Sequence, residues 1–285
     1  RSQLLSYEEI VTVVRAVAGL GVNKVRLTGG EPLVRQGLPR LVAMLAAVPG
    51  IDDLAMTTNG LLLARFALSL KKAGLRRVNV SLDTLRPDRF REITGGDGLS
   101  EVLRGLERAQ QVGLNPVKIN MVVMRGVNDD ELIDFGRLSI EKGWNVRFIE
   151  LMPFGRADGA QFMPVAEVAR RLEALGPMEP CFPKDGGGPA KYFRFAGAGG
   201  TVGFIGALSE HFCFGCNRMR LTADGKLRPC LMGEELVDLL PVLRSGASVE
   251  EVRELIQHAA ALKPEGHRLA CGIGPSDTAM SRIGG

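Results

Sequence analysis

Residues 24–32 read Lys24-Val25-Arg26-Leu27-Thr28-Gly29-Gly30-Glu31-Pro32, and this run decides how the rest of the chain is read. Val25 and Leu27 alternate with Arg26 and Thr28, the period-two pattern of a strand with one apolar and one polar face. Gly29, Gly30 and Pro32 then stop it. Upstream, Ser6-Tyr7-Glu8-Glu9 is a capping box ahead of Ile10, Val13, Val14 and Val17 at helical spacing, a helix that ends at Gly19 or Gly21. Downstream, the patterns predict helix 38–47, strand 54–58 stopped by Asn59-Gly60, helix 61–73 and strand 77–82. Helix 100–112, strand 118–123, a helix after Asn128-Asp129-Asp130 and strand 145–150 follow. Helix and strand thus alternate through the first half of the chain, which implies a parallel α/β sheet.

The strands repeat the two-faced pattern. Val25, Leu27, Leu54, Met56, Val78, Val80, Ile119, Met121, Val146 and Phe148 make the apolar sides. Arg26, Thr28, Thr57, Asn79, Ser81, Lys118, Asn120 and Arg147 make the polar ones. Parallel strands between helices are buried on both faces and normally apolar on both. A common polar face therefore implies a wide or incomplete barrel whose lumen holds a polar ligand. Thr57-Thr58-Asn59-Gly60, Val80-Ser81-Leu82-Asp83 and Arg147 to Pro153 all fall at the C-terminal ends of strands, where βα loops build active sites.

Bulk properties exclude several classes. A chain of 285 residues with 45% hydrophobic and 24% charged residues has enough apolar surface for a full core. No apolar run is long enough to span a bilayer, and no secretory leader is read at the start, so a cytoplasmic protein is expected. The net charge of +4 suits a small anionic ligand without demanding nucleic acid. Five cysteines, clustered toward the C-terminus, argue against a disulfide framework.

After Pro153 the character changes, and a second region is expected from about residue 156, with residues 1–155 as the barrel. A glycine-rich segment carries a predicted hairpin between Lys191–Arg194 and Thr201–Phe204. Then comes His211 to Cys230, HFCFGCNRMRLTADGKLRPC, with Cys213, Cys216 and Cys230 at C-x2-C-x13-C spacing. Three thiolates are one short of a full set for tetrahedral zinc and for a cubane iron–sulfur cluster alike. Two readings stand: a structural zinc knuckle completed by His211, Cys181 or Cys271, or a cluster with an open position. Ser248-Val249-Glu250-Glu251 caps one more helix.

Taken together, GGEP, TTNG, SLD, the RFIELMP run, the cysteine stretch and the terminal Gly284-Gly285 resemble the GTP 3′,8-cyclase family of radical S-adenosylmethionine (SAM) enzymes. That family opens molybdenum cofactor biosynthesis, converting GTP with SAM to (8S)-3′,8-cyclo-7,8-dihydroguanosine 5′-triphosphate. The resemblance implies an incomplete six-unit (β/α) barrel of the TIM type, its first strand missing here, with a C-terminal iron–sulfur subdomain. It implies that Gly29, Gly30, Glu31, Ser81, Asn120 and Met152 receive SAM. It implies that Arg26, Thr57, Lys118, Arg218, Met219 and Arg220 bind GTP, and that Arg147 assists the reaction. Cys213, Cys216 and Cys230 would hold a 4Fe–4S cluster, and Gly284-Gly285 would reach into the active site. Implied partners are GTP and, downstream, a cyclic pyranopterin monophosphate synthase, with no nucleic acid and no membrane; a homodimer is allowed for.

One departure is plain. The family's C-x3-C-x2-C motif for a second, SAM-cleaving 4Fe–4S cluster does not occur in these residues. The expectation is a chain that binds GTP but does not cleave SAM. A zinc-binding nucleic-acid module, carried by Arg218, Arg220, Lys226 and Arg228, and another radical SAM enzyme with an auxiliary cluster are the alternatives.

Overall fold

The computed structural model describes residues 3–153, 159–182, 188–210 and 212–267. In chain order the elements are α1 Tyr7–Ala18, β1 Lys24–Leu27, α2 Leu38–Ala46, β2 Asp53–Thr58, α3 Leu63–Lys72, β3 Arg77–Ser81, α4 Pro87–Thr94 and α5 Leu99–Gln111. There follow β4 Lys118–Val123, α6 Leu132–Glu141, β5 Asn145–Glu150, α7 Val165–Leu172, β6 Met178–Cys181, β7 Lys191–Phe195 and β8 Val202–Ile205. Last come β9 Arg220–Leu221, β10 Lys226–Arg228, β11 Val237–Asp238, α8 Leu240–Arg244 and α9 Val249–Ala261. The described residues divide into two compact units, one of residues 3–56, 69–76 and 217–267, the other of 57–68 and 77–216.

The first unit is built on two capped helices. Glu9 N–H donates to Ser6 Oγ at 3.1 Å, and Ser6 N–H donates back to the Glu9 carboxylate at 2.6 Å. Ser248 and Glu251 repeat the reciprocal pair at α9, at 2.8 and 3.3 Å. Val13 and Ala16 of α1, Val252, Ile256 and Ala259 of α9, Leu227 of β10 and Leu239 pack into one buried cluster. Strands β1 and β2 pair in parallel from Lys24 opposite Asp53 to Leu27 opposite Met56. Leu54, Ala55 and Met56 are buried, whereas β1 is exposed or half-buried along its length. Strands β9, β10 and β11 form a small antiparallel sheet, and the TADGK turn closes its first hairpin. Thr222 N–H donates to the Lys226 carbonyl at 2.8 Å there.

The second unit carries parallel strands β3, β4, β5 and β8, then β7 and β6 antiparallel. The predicted hairpin is present as β7 and β8, and it extends the main sheet, with β8 lying parallel to β5. Val78, Val80, Ile119, Met121, Val146 and Phe148 are fully buried on the face that the alternation predicts. Predicted strand and helix bounds hold to within about two residues. Three helices were not foreseen, α4, α7 and α8.

Glu150 closes this unit at the end of β5. Its carboxylate, 1% exposed, accepts from the N–H groups of Val165 at 3.0 Å, Leu208 at 2.8 Å and Ser209 at 3.0 Å, and from the Ser209 hydroxyl. Several donors around one buried carboxylate offset its desolvation.

Candidate active site

Within the second unit, strand register gathers the polar residues into rows. Asn79 stands opposite Lys118, and Lys118 opposite Asn145. One step along, Ser81 stands opposite Asn120, Asn120 opposite Arg147, Arg147 opposite Gly203 and Gly203 opposite Tyr192. Residues in register project from the same side of a sheet, so these rows share one face. That face is not left to water: Asn79 is 0%, Lys118 1%, Arg147 5% and Thr57 7% exposed. Asn79 donates to Thr57 Oγ1 at 3.2 Å. The Oδ1 atoms of Asn79 and Asn120 are buried with no hydrogen-bond partner among the described residues. These register positions hold two cations and no carboxylate, a distribution of charge that suits a polar, anionic ligand.

Loops at the strand ends are tied in detail. Leu82 N–H donates to the Asn120 carbonyl at 2.9 Å, and Val122 N–H donates to Asp83 at 2.8 Å. Burial pushes the Asp83 carboxyl up to about 6, against the lowering effect of the Val122 N–H. Asn128, fully buried, donates to the Asp83 and Val122 carbonyls at 2.8 and 2.9 Å and accepts from Met124 N–H at 2.7 Å. Glu131, also fully buried, accepts from Thr84 Oγ1 and Leu85 N–H, each at 2.6 Å, and from Arg89. Ser81 itself is exposed, and Met152 is half-buried. Cys213–Gly215 is a 3₁₀ turn in which Cys216 N–H donates to the Cys213 carbonyl at 3.0 Å, placing two half-buried thiols on one turn.

In the first unit, Gly29 takes φ +151°, a conformation L side chains rarely adopt. Gly30 is exposed, and half-buried Glu31 accepts from Leu33 N–H at 3.0 Å as the cap of the Pro32–Val34 turn. Arg26 is exposed on β1, opposite Ala55. Arg220 lies directly opposite Arg228 across the β9–β10 pair, and the Arg228 guanidinium donates to the Gly233 carbonyl. Lys263 holds this stretch from α9's far end, donating to the Arg218 and Pro229 carbonyls at 2.7 and 2.9 Å. Arg218, Met219 and Cys230 are half-buried.

Sequence reasoning missed Tyr192, Gly203, Asn128 and Lys263. Only Tyr192 had a local signal, the alternation along Lys191–Phe195.

Cys181, Cys213, Cys216 and Cys230 are all free thiols. Burial raises the Cys181 thiol above its ordinary value, which disfavours the thiolate a metal needs. Among the described residues no three Cys, His, Asp or Glu side chains are grouped to hold a metal ion. His211, Cys271 and Gly284-Gly285 lie outside the described residues. Nor is any helix among the described residues long and apolar enough to cross a membrane.

Comparison with known proteins shows the family. The Radical SAM superfamily profile matches residues 1–138, and that of Molybdenum Cofactor Synthesis C matches residues 144–269. The GTP 3′,8-cyclase of Pelotomaculum thermopropionicum is 52% identical over 287 residues, covering 99% of this chain and 88% of that protein. That of Moorella thermoacetica is 48% identical over 284 residues, with the same two coverages. The chain belongs to the GTP 3′,8-cyclase family. Among solved structures it is similar to SuiB of Streptococcus suis, TM-score 0.61 at 17% identity, covering 88% of this chain and 62% of that one. SuiB bound to S-adenosylmethionine gives a TM-score of 0.60 at 14% identity, covering 87% and 61%. Those likenesses bear on the fold alone, and they agree with the incomplete-barrel α/β class of the radical SAM enzymes.

Proposed function

We propose that this member of the GTP 3′,8-cyclase family belongs to a radical SAM lyase that opens molybdenum cofactor biosynthesis, and that residues 1–285 supply its GTP-binding polar sheet face, the C-x3-C-x2-C cysteines of the SAM-cleaving cluster not occurring among them. The observation that carries the reading is the polar sheet face on which Thr57, Asn79, Lys118 and Arg147 are buried and the half-buried Asn120 keeps its Oδ1 from solvent. A triphosphate is the kind of multivalent anion that compensates buried cations through charge-assisted hydrogen bonds. Lys118 and Thr57 are assigned to GTP, together with Arg26, Arg218, Met219 and Arg220; Arg147 is assigned to the reacting nucleotide. Gly29, Gly30, Glu31, Ser81, Asn120 and Met152 are assigned to SAM.

The donor chemistry of Cys213, Cys216 and Cys230 fits a cluster: three free thiols and a C-x2-C turn. We assign these three to a 4Fe–4S cluster with one iron left for substrate. When bound, iron–sulfur clusters and SAM supply the one-electron chemistry that starts the reaction and an open iron position for GTP. The protein's own share is to orient the ribose and base, hold the phosphates and exclude water. Residues 1–155 are assigned to the SAM barrel and residues 156–285 to the cluster and GTP-binding region, while the two family matches meet earlier, between residues 138 and 144. A cyclic pyranopterin monophosphate synthase as the downstream partner and a homodimer complete the proposal.

The test is anaerobic reconstitution of the full chain with iron and sulfide, followed by metal analysis and calorimetric GTP titration. Iron and sulfide should be retained, and Arg218→Ala should weaken GTP by about 10- to 100-fold, the range for removing a charge-assisted contact. Zinc in place of iron, with GTP affinity untouched by Arg218→Ala, would point instead to a zinc module.

A further inference from the structure

Gly203 faces Arg147 on one side and Tyr192 on the other. A Cβ there would lie 3.0 Å from Tyr192 Cε1 and 3.2 Å from Arg147 Cγ, so a side chain at this position would force the two apart. Into the room that glycine leaves, the Tyr192 ring settles at 8% exposure, with Lys118 Nζ 5.8 Å from its centroid. A lysine ammonium is a point charge on a flexible stem with many rotamers. An aromatic face within about 6 Å attracts that charge, most strongly where water is excluded. Lys118, at 1% exposure, is in that condition.

We propose that Tyr192, seated by Gly203, is a positioning residue that aims the Lys118 ammonium at a polyphosphate-bearing ligand, and that Gly203 sets the spacing between Arg147 and that aromatic wall. The inference rests on the assignment of Lys118 to GTP. It adds that the ring's face, rather than its bulk alone, governs affinity.

Calorimetric titration of the full chain with GTP tests it through a double-mutant cycle. Tyr192→Leu should lower affinity by about tenfold, while Tyr192→Phe, which keeps the ring face, should stay within about twofold of the parent. Lys118→Met should lose at least as much as Tyr192→Leu, and adding Tyr192→Leu to Lys118→Met should cost nothing further. Additive losses, or a Tyr192→Phe as weak as Tyr192→Leu, would overturn the inference while leaving the GTP assignment standing. An unchanged affinity in Lys118→Met would instead remove the GTP assignment, and the inference with it. Should Tyr192→Leu fail to fold, the same cycle is run with Gly203→Ala, which displaces the ring by one methyl group; loss in the parent and none beyond Lys118→Met supports the proposal, and additive loss or none in the parent overturns it.

Discussion

The two units present their charges in opposite ways. In the second, Lys118 and Arg147 are buried on a sheet face, and strand register dictates where they stand. In the first, Arg218 and Arg220 lie half-buried on and beside two- and three-residue strands, held by one lysine reaching two carbonyls. Register needs no further restraint, because every ladder bond fixes both position and face. A short hairpin has little ladder, so its geometry depends on single side chains. The difference teaches where mutation should act globally and where it should act locally.

The comparison can be broken most forcefully at Glu150. Glu150→Ala leaves three N–H groups and a hydroxyl without their acceptor, and should lower unfolding stability by about 3–5 kcal/mol in urea titrations. A loss under about 1 kcal/mol would show that the second unit is not fixed by such buried networks.

Asp83 gives the next effect. Its folded carboxyl titrates at about 6, above the ordinary 3.8, so between those pH values the folded chain binds more protons than the unfolded one. Stability should therefore fall as pH rises through that window, by up to about 3 kcal/mol, and the missing stability should return on acidification. Asp83→Asn keeps an acceptor for Val122 N–H and should flatten that slope in chemical denaturation series between pH 4 and 7. A slope that survives the substitution would assign it elsewhere.

Lys263→Met should cost least, about 1–2 kcal/mol, and the cost should be local. Hydrogen exchange ought to quicken at the Thr222 and Lys226 amides of the hairpin while the β4 and β5 amides stay as they were. Acceleration spread evenly over both units would erase the contrast drawn above.

Much of this molecule can be read from its residues, for physical reasons that also mark the limit. Strand β5 is predicted without error, because Asn145–Phe148 alternates between polar and apolar, although Ile149 and Glu150 then break the alternation. The polar face at Thr57, Asn79, Lys118 and Arg147 follows from the same period. Helix α4 escapes because it buries a single side chain, Phe90, and so has almost no apolar stripe, although Pro87 opens it and Gly95 closes it. Helix α7 lacks a side-chain N-cap, Pro164 standing in that place. Strands β9 to β11 are too short for any period to register. The roles of Tyr192 and Gly203 depend on β8 lying against β5, a pairing across more than fifty residues that no local pattern encodes.

That pairing also bears on the order in which the molecule can be made. Val146 meets Val202, and Thr201 N–H donates to the Asn145 side chain at 3.0 Å, so β5 gains its outer neighbour only after the ribosome has passed residue 205. Until then the Arg147 guanidinium remains beside an open strand edge and keeps its water. Its burial, like the closing of the row through Gly203 and Tyr192, is a late event of synthesis, and the nascent chain spends that interval with an unpaired strand edge, which slower elongation would prolong.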